Sequence, residues 1–174
     1  MPTFRTKRRV RHSAADMFDL VADVEKYPLF LPLCTGLRVR KRATDAEGRD
    51  VLTADMSVGY KAIRETFTSK VTLDRGNMRI LVEYLDGPFS RLDNRWTFVD
   101  APMTPGGAEQ KSACDVDFFI DYEFRSRMLG ILMGTMFDAA FRRFAEAFER
   151  RADLVYGRRA AVVRNPPPPG EAGG

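Results

Sequence analysis

Between Leu37 and Tyr122 apolar side chains recur at every second position, and beyond Phe124 the repeat lengthens to that of a helix. A single switch of period late in the chain leaves few ways to fold. Leu52, Ala54, Met56 and Val58 alternate with polar neighbours, and Ile63, Phe67, Val71 and Leu73 share one face of the next segment. Arg79 to Tyr84 follows the turn at Gly76-Asn77, then Leu92, Trp96 and Phe98 share a face after Gly87-Pro88. Cys114, Val116, Phe118, Ile120 and Tyr122 oppose Asp115, Asp117 and Asp121. Period-2 alternation joined by short turns predicts an antiparallel meander with one wet face. The three aspartates lie on that wet face and read as solvated charges rather than a metal site.

From Phe124 to about Ala152, Leu129, Ile131, Leu132, Met136, Phe137, Ala140, Phe141, Phe144 and Phe148 predict one long helix with a broad apolar stripe. Upstream, Met1 to Arg11 reads as a strand. Ser13 is placed as an N-cap with Asp16 three residues on. Tyr27-Pro28 and Pro32 divide Ala14 to Cys34 into two short helices, with Gly36 ending the second. The economical packing of this order is a curved antiparallel sheet of about seven strands gripping the C-terminal helix, an α+β fold. Residues 1–157 then form one domain. The tail, 158–174, with Pro166 to Pro169 and a glycine-rich end, cannot build a core and is expected to be disordered.

At 174 residues a single domain is expected. No apolar run reaches the ~20 residues of a membrane span, and Met1 to Val10 lacks a signal core. With two cysteines, Cys34 and Cys114, in no metal or redox motif, a cytoplasmic setting is the expectation. Residues 1–42 hold ten Lys and Arg against four acids. That basic segment suits a solvated strand face, a membrane surface or RNA. No DNA-binding pattern accompanies it.

The chemistry available is sparse. His12 is the only histidine, and it stands beside a cap without a partner visible in the sequence. The nucleophile-elbow, zinc-protease, phosphate-loop and dinucleotide motifs are absent, which removes the usual anchors of those enzyme classes. Glu65 falls in phase with Ile63 and Phe67 on the apolar face. It would either form an ion pair, for instance with Lys61, or offer a polar contact inside a cavity. Met128, Met133 and Met136, interleaved with Gly130 and Gly134, read as adaptable core filler or as one wall of a lipid-sized cavity. The apolar, proline-bent run Tyr27 to Cys34 reads as a core plug or a lid.

Several stretches together resemble the coenzyme Q-binding START-domain proteins, within the polyketide cyclase/START superfamily. They are residues 18–34 (FDLVADVEKYPLFLPLC), 65–71 (ETFTSKV), 87–98 (GPFSRLDNRWTF), 116–124 (VDFFIDYEF) and the helix end 147–152 (AFERRA). The likeness spans about residues 2–157. It departs at Leu33, where many members carry tryptophan. The resemblance implies a helix-grip fold and a bound hydrophobic quinone or polyprenyl lipid, with no covalent cofactor and no metal. It further implies a binding or chaperone role supporting respiratory use of ubiquinone. Bacterial relatives are described as ribosome-association toxins, and an older label makes the group cyclases, for which Glu65 is the one available acid or base. Phe30, Leu31, Glu65, Phe67, Trp96, Phe118, Met128, Leu132, Met133, Met136 and Phe137 are the expected ligand contacts. Phe30, Leu31 and Phe89, with Arg40 and Lys41, are expected to form an apolar, basic entrance facing an anionic membrane.

Overall fold

The computed structural model describes residues 3–102 and 112–157. The expected tail, and the loop from Pro102 to Gly107 except Pro102 itself, lie outside the described residues. Strand β1 (Thr3–Val10) leads into α1 (Ala14–Ala22) and a short 3₁₀ helix (Val24–Leu29). Strands β2 (Cys34–Thr44), β3 (Asp50–Tyr60), β4 (Ile63–Asp74), β5 (Arg79–Asp86), β6 (Phe89–Asp100) and β7 (Cys114–Phe124) follow. The long helix α2 (Arg127–Ala152) ends in a π-helical turn, Asp153–Gly157.

Strands β2 to β7 form a continuous antiparallel meander, and β1 returns to pair with β7, giving the order β1-β7-β6-β5-β4-β3-β2. Helix α2 packs against β1, β7 and α1. The alternation read from sequence sets which face is dry. Val116, Phe118, Ile120 and Tyr122 are buried. Asp115 and Asp117 point outward to Arg9 and Arg5 at 2.9 and 2.8 Å, and Asp121 meets Arg91 at 2.9 Å. Hydrogen bonds from Arg9 and Arg91 hold the carboxyls of Asp115 and Asp121 below their ordinary range. These pairs, with Arg8–Glu149, Arg40–Asp55 and Arg42–Glu25, neutralise much of the basic N-terminal segment. The unpaired remainder on the open edge strand β2, notably Arg38 and Lys41, discourages edge-to-edge pairing.

The Ser13 cap forms as expected, its hydroxyl accepting from the Asp16 amide at 3.1 Å. Gly36 does not terminate a helix. It lies in β2 at a register shift between Cys34 and Gly36. An added residue bends the strand there, a role for which glycine suits as well as it does a helix end.

Gly87-Pro88-Phe89, expected at an exposed entrance, leads into a packed aromatic cluster instead. Gly87 has φ +140°, and a Cβ there would lie 2.9 Å from the Phe67 Cα, so only glycine fits without displacement. The chain thereby turns Phe89 inward, where it is 0% exposed. Its ring stacks on Phe124 at 4.8 Å and meets Phe67, Tyr84, Tyr122 and Phe137 edge-on. The Phe89 carbonyl accepts from Arg125 Nε at 2.9 Å, tying the start of α2 to this cluster.

His12 is buried and does have a partner. Its Nε2 lies 2.6 Å from Asp153, 141 residues along the chain, and its ring faces Tyr156. The pair joins the end of β1 to the turn beyond α2.

Candidate functional site

Between the concave face of the sheet and the second half of α2 lies a cavity of about 90 Å³. Its floor comes from alternate residues of neighbouring strands, which the pleat places on one face. Ala54, Met56 and Val58 come from β3, and Phe67, Ser69 and Val71 from β4. Ile80, Val82, Leu92, Asn94, Trp96 and Ile120 continue it across β5 to β7. Phe137, Ala140, Phe141, Phe144 and Phe148 of α2 form the roof, and Val24, Tyr27, Leu31, Pro32 and Leu33 close one end. Among the described residues, no lining side chain carries a formal charge.

The closing segment acts as a plug. Tyr27 donates its hydroxyl to the Val21 carbonyl, and burial pushes that phenol well above its ordinary range. Phe30 packs edge-on against Tyr27 and Phe148, with the Arg151 guanidinium over its other side. Leu33 takes a left-handed backbone, φ +66°, uncommon for a residue with a Cβ, and its carbonyl accepts from the Gly59 amide at 3.0 Å. Outside the plug a groove of about 640 Å³ runs between Leu29, Phe30 and Pro32 and the arginines Arg143, Arg150 and Arg151 of α2. Pro32 borders both spaces.

Four expected contacts, Leu31, Phe67, Trp96 and Phe137, line the cavity. The others lie elsewhere. Phe30 lines the outer groove. Phe118 is buried behind Trp96, with their centroids 4.7 Å apart. Met133 is buried and Met136 half-buried outside the lining. Met128 and Leu132 are 71% and 56% exposed on the outer side of α2. Glu65 is half-buried, opposite Val58 near the β3–β4 turn, and is not in the cavity wall. Lys61 does not pair with it but sits over the Tyr60 ring. Its cross-strand partner Val58 lines the cavity while Glu65 itself stays half-buried outside the wall, so strand phase alone does not bring it in.

The expected apolar entrance is not formed. Leu31 and Phe89 are buried, and Arg40 is held by Asp55 at 2.6 Å, leaving Lys41 exposed on the edge strand. Sequence reading passed over Ser69 and Asn94, the polar groups of the floor. Both could have been found by phase, since Ser69 lies two residues from Phe67 and Asn94 two from Trp96. The Asn94 amide is held at both ends, donating to the Phe119 carbonyl at 2.9 Å and accepting from Trp96 Nε1 at 3.1 Å.

A seven-stranded antiparallel sheet that closes an uncharged cavity under one long C-terminal helix defines a helix-grip protein. Residues 10–149 match the family described as polyketide cyclase/dehydrase and lipid transport, and the chain belongs to that family. It is 35% identical over 159 residues to the ribosome association toxin RatA of Escherichia coli K12, covering 91% of this chain and 92% of the relative. The mitochondrial coenzyme Q-binding protein COQ10 homolog B of Xenopus laevis is 29% identical, over 84% of this chain and 56% of that protein. Among solved structures, an 18 kDa Caulobacter crescentus protein matches at TM-score 0.68 and 31% identity, covering 90% of this chain and 99% of that one. The Zhui aromatase/cyclase of a Streptomyces species matches at TM-score 0.60, covering 87% of this chain and 93% of its own, but at 14% identity it shares the fold alone.

Proposed function

We propose that this chain binds a hydrophobic ligand of the ubiquinone or polyprenyl type, without catalysing its conversion, in the cavity between sheet and α2. The observation that carries this reading is the cavity's wholly uncharged wall, closed at one end by an apolar plug. A coenzyme Q-binding relative supports the ligand class. The cavity's 90 Å³ is well below the roughly 300–1,000 Å³ of pockets that hold drug-sized ligands. A quinone ring therefore enters only as the space widens. The flexible Met56 and the plug at Leu31 to Leu33 are the parts suited to yield. The distal isoprenoid tail stays outside, since each buried CH₂ contributes roughly 0.8 kcal/mol and a few units suffice. Extraction of the purified protein, followed by titration with a short-chain ubiquinone, tests this. Copurified quinone or saturable binding is the expected result, and an empty protein that binds none would overturn the proposal.

A second reading, association with ribosomes, rests on the relative of that name, which aligns along nearly the whole chain. The extensive pairing of N-terminal arginines argues against a broad basic RNA-binding face. Sedimentation of ribosomes from cells overproducing the protein separates the two. Normal subunit joining with no cosedimentation at low salt removes this reading.

A further inference from the structure

Ser69 is 4% exposed, lines the cavity, and its hydroxyl has no hydrogen-bond partner among the described residues. The position is otherwise apolar in design: Ala54 lies beside it on β3, and Phe67 and Val71 flank it along β4. A buried hydroxyl left unpaired is unfavourable, and nearly all such groups in folded proteins find a partner in protein, water or ligand. The other polar side chains of the wall are already committed, Tyr27 to the Val21 carbonyl and Asn94 to Phe119 and Trp96. Thus, of the polar side chains in the wall, Ser69 is the one left with no partner, in an otherwise apolar chamber.

We infer that Ser69 anchors the ligand, and that the ligand is a neutral molecule presenting a carbonyl or hydroxyl oxygen to it. The inference rests on the cavity being the binding site, and it narrows what the site accepts. A carboxylate, phosphate or ammonium would enter a wall that offers no opposite charge, at a desolvation cost one hydroxyl does not repay. A pure hydrocarbon would leave the Ser69 hydroxyl as unpaired as before. A ketone, quinone or alcohol satisfies it: the Ser69 O–H donates to a carbonyl oxygen or accepts from a hydroxyl.

The test crosses one residue with one ligand atom. Cyclohexanone and methylenecyclohexane have nearly the same shape and differ in a carbonyl oxygen against a CH₂ group. Binding is followed by the emission of Trp96, the chain's single tryptophan and part of the cavity wall, and by amide shifts of β4. Ser69→Ala is expected to weaken cyclohexanone about five- to tenfold, the effect of one buried hydrogen bond, and to leave methylenecyclohexane unchanged or slightly tighter. Cyclohexanecarboxylate at neutral pH should bind neither form. Because the hydroxyl has no partner among the described residues, Ser69→Ala should melt no lower than the parent. If both neutral ligands bind and the substitution affects them equally, the anchor is disproved while the cavity stands as the site. Binding of the carboxylate as tight as the ketone would overturn the neutral ligand class. If neither neutral ligand perturbs Trp96 or β4, the cavity reading fails and the anchor with it. A lowered melting temperature would show that the hydroxyl serves the fold instead.

Discussion

The two halves of α2 share one inward stripe and have opposite outer faces. Met133, Phe137, Ala140, Phe141, Phe144 and Phe148 follow helical spacing along its length, and all are buried. On the outward side the second half carries Arg142, Arg143, Glu146 and Arg150, whereas the first half carries Met128, Ile131 and Leu132. At 3.6 residues per turn, Met128, Ile131 and Leu132 fall on the side of the helix away from Phe137. The second half is therefore an ordinary amphipathic helix, and the first carries large apolar side chains on its outer face as well as its inner one. The density of apolar residues says little about burial. Their phase relative to the sheet decides it.

The sharpest way to break this contrast is to cut into the inward stripe. Phe148 is 1% exposed and packs against Tyr27, Phe30 and Trp96. Phe148→Ala should cost about 3–5 kcal/mol, from lost transfer energy and the void left under the plug. Denaturant unfolding measures it, and a cost under about 1 kcal/mol would mean that α2 is not seated on the sheet as described. Gly87→Ala attacks the same stripe from the sheet side, because Gly87 turns Phe89 beneath Phe137. A positive φ and a methyl group against the Phe67 backbone should together cost roughly 2–4 kcal/mol.

Cysteine chemistry reads out the same difference at the plug. Burial raises the Cys34 thiol to about 11, and its amide donates to the Leu31 carbonyl at 3.2 Å. At pH 8 the thiol is protonated and should alkylate slowly. A folded-state value above the ordinary one makes this burial stabilising below about pH 9, an advantage lost as the pH rises towards 11. Phe148→Ala, by loosening the segment over which Phe30 lies, should speed Cys34 alkylation several-fold. Substitutions at Met128, Ile131 or Leu132 should leave the rate unchanged, and an equal acceleration by both would erase the distinction between the halves.

The meander of β2 to β7, the long helix and the buried face of β7 were legible because alternation and helical phase are local properties repeated over many residues, whereas the pairing of β1 with β7 joins segments more than 100 residues apart and leaves no local mark. What failed depended on single positions or on distant partners. Phe89 follows Gly-Pro and so reads as part of a loop, yet a left-handed glycine is what carries it into the core. Glu65 has the phase of a cavity residue, and its cross-strand partner Val58 lines the cavity, yet Glu65 stays half-buried outside the wall. His12 reads as unpartnered because Asp153 lies at the far end of the chain. Ile131 and Leu132 count as part of the stripe, and Met128 as part of a methionine-rich wall, on apolar character alone, though their angular positions oppose it. Ser69 was readable by phase, but a small polar residue between Phe67 and Val71 does not interrupt an apolar pattern strongly.

The smallest expected effect is the most telling about the fold. Ile131 and Met128 are 74% and 71% exposed, so their side chains lose little water on folding. Hydrophobic stabilisation scales with area removed from water, and theirs is mostly not removed. Met128→Gln and Ile131→Gln should each change stability by less than about 0.5 kcal/mol, since glutamine keeps a good helix propensity and replaces no buried contact. Met133→Gln, five residues beyond Met128, would place an amide in a site that is 1% exposed and should cost several times more. Measuring these variants by denaturant midpoint at constant slope separates a phase effect from a general weakening of the helix. Equal losses at Met128 and Met133 would show that the first half of α2 is buried on both sides, and the contrast between its halves would fall.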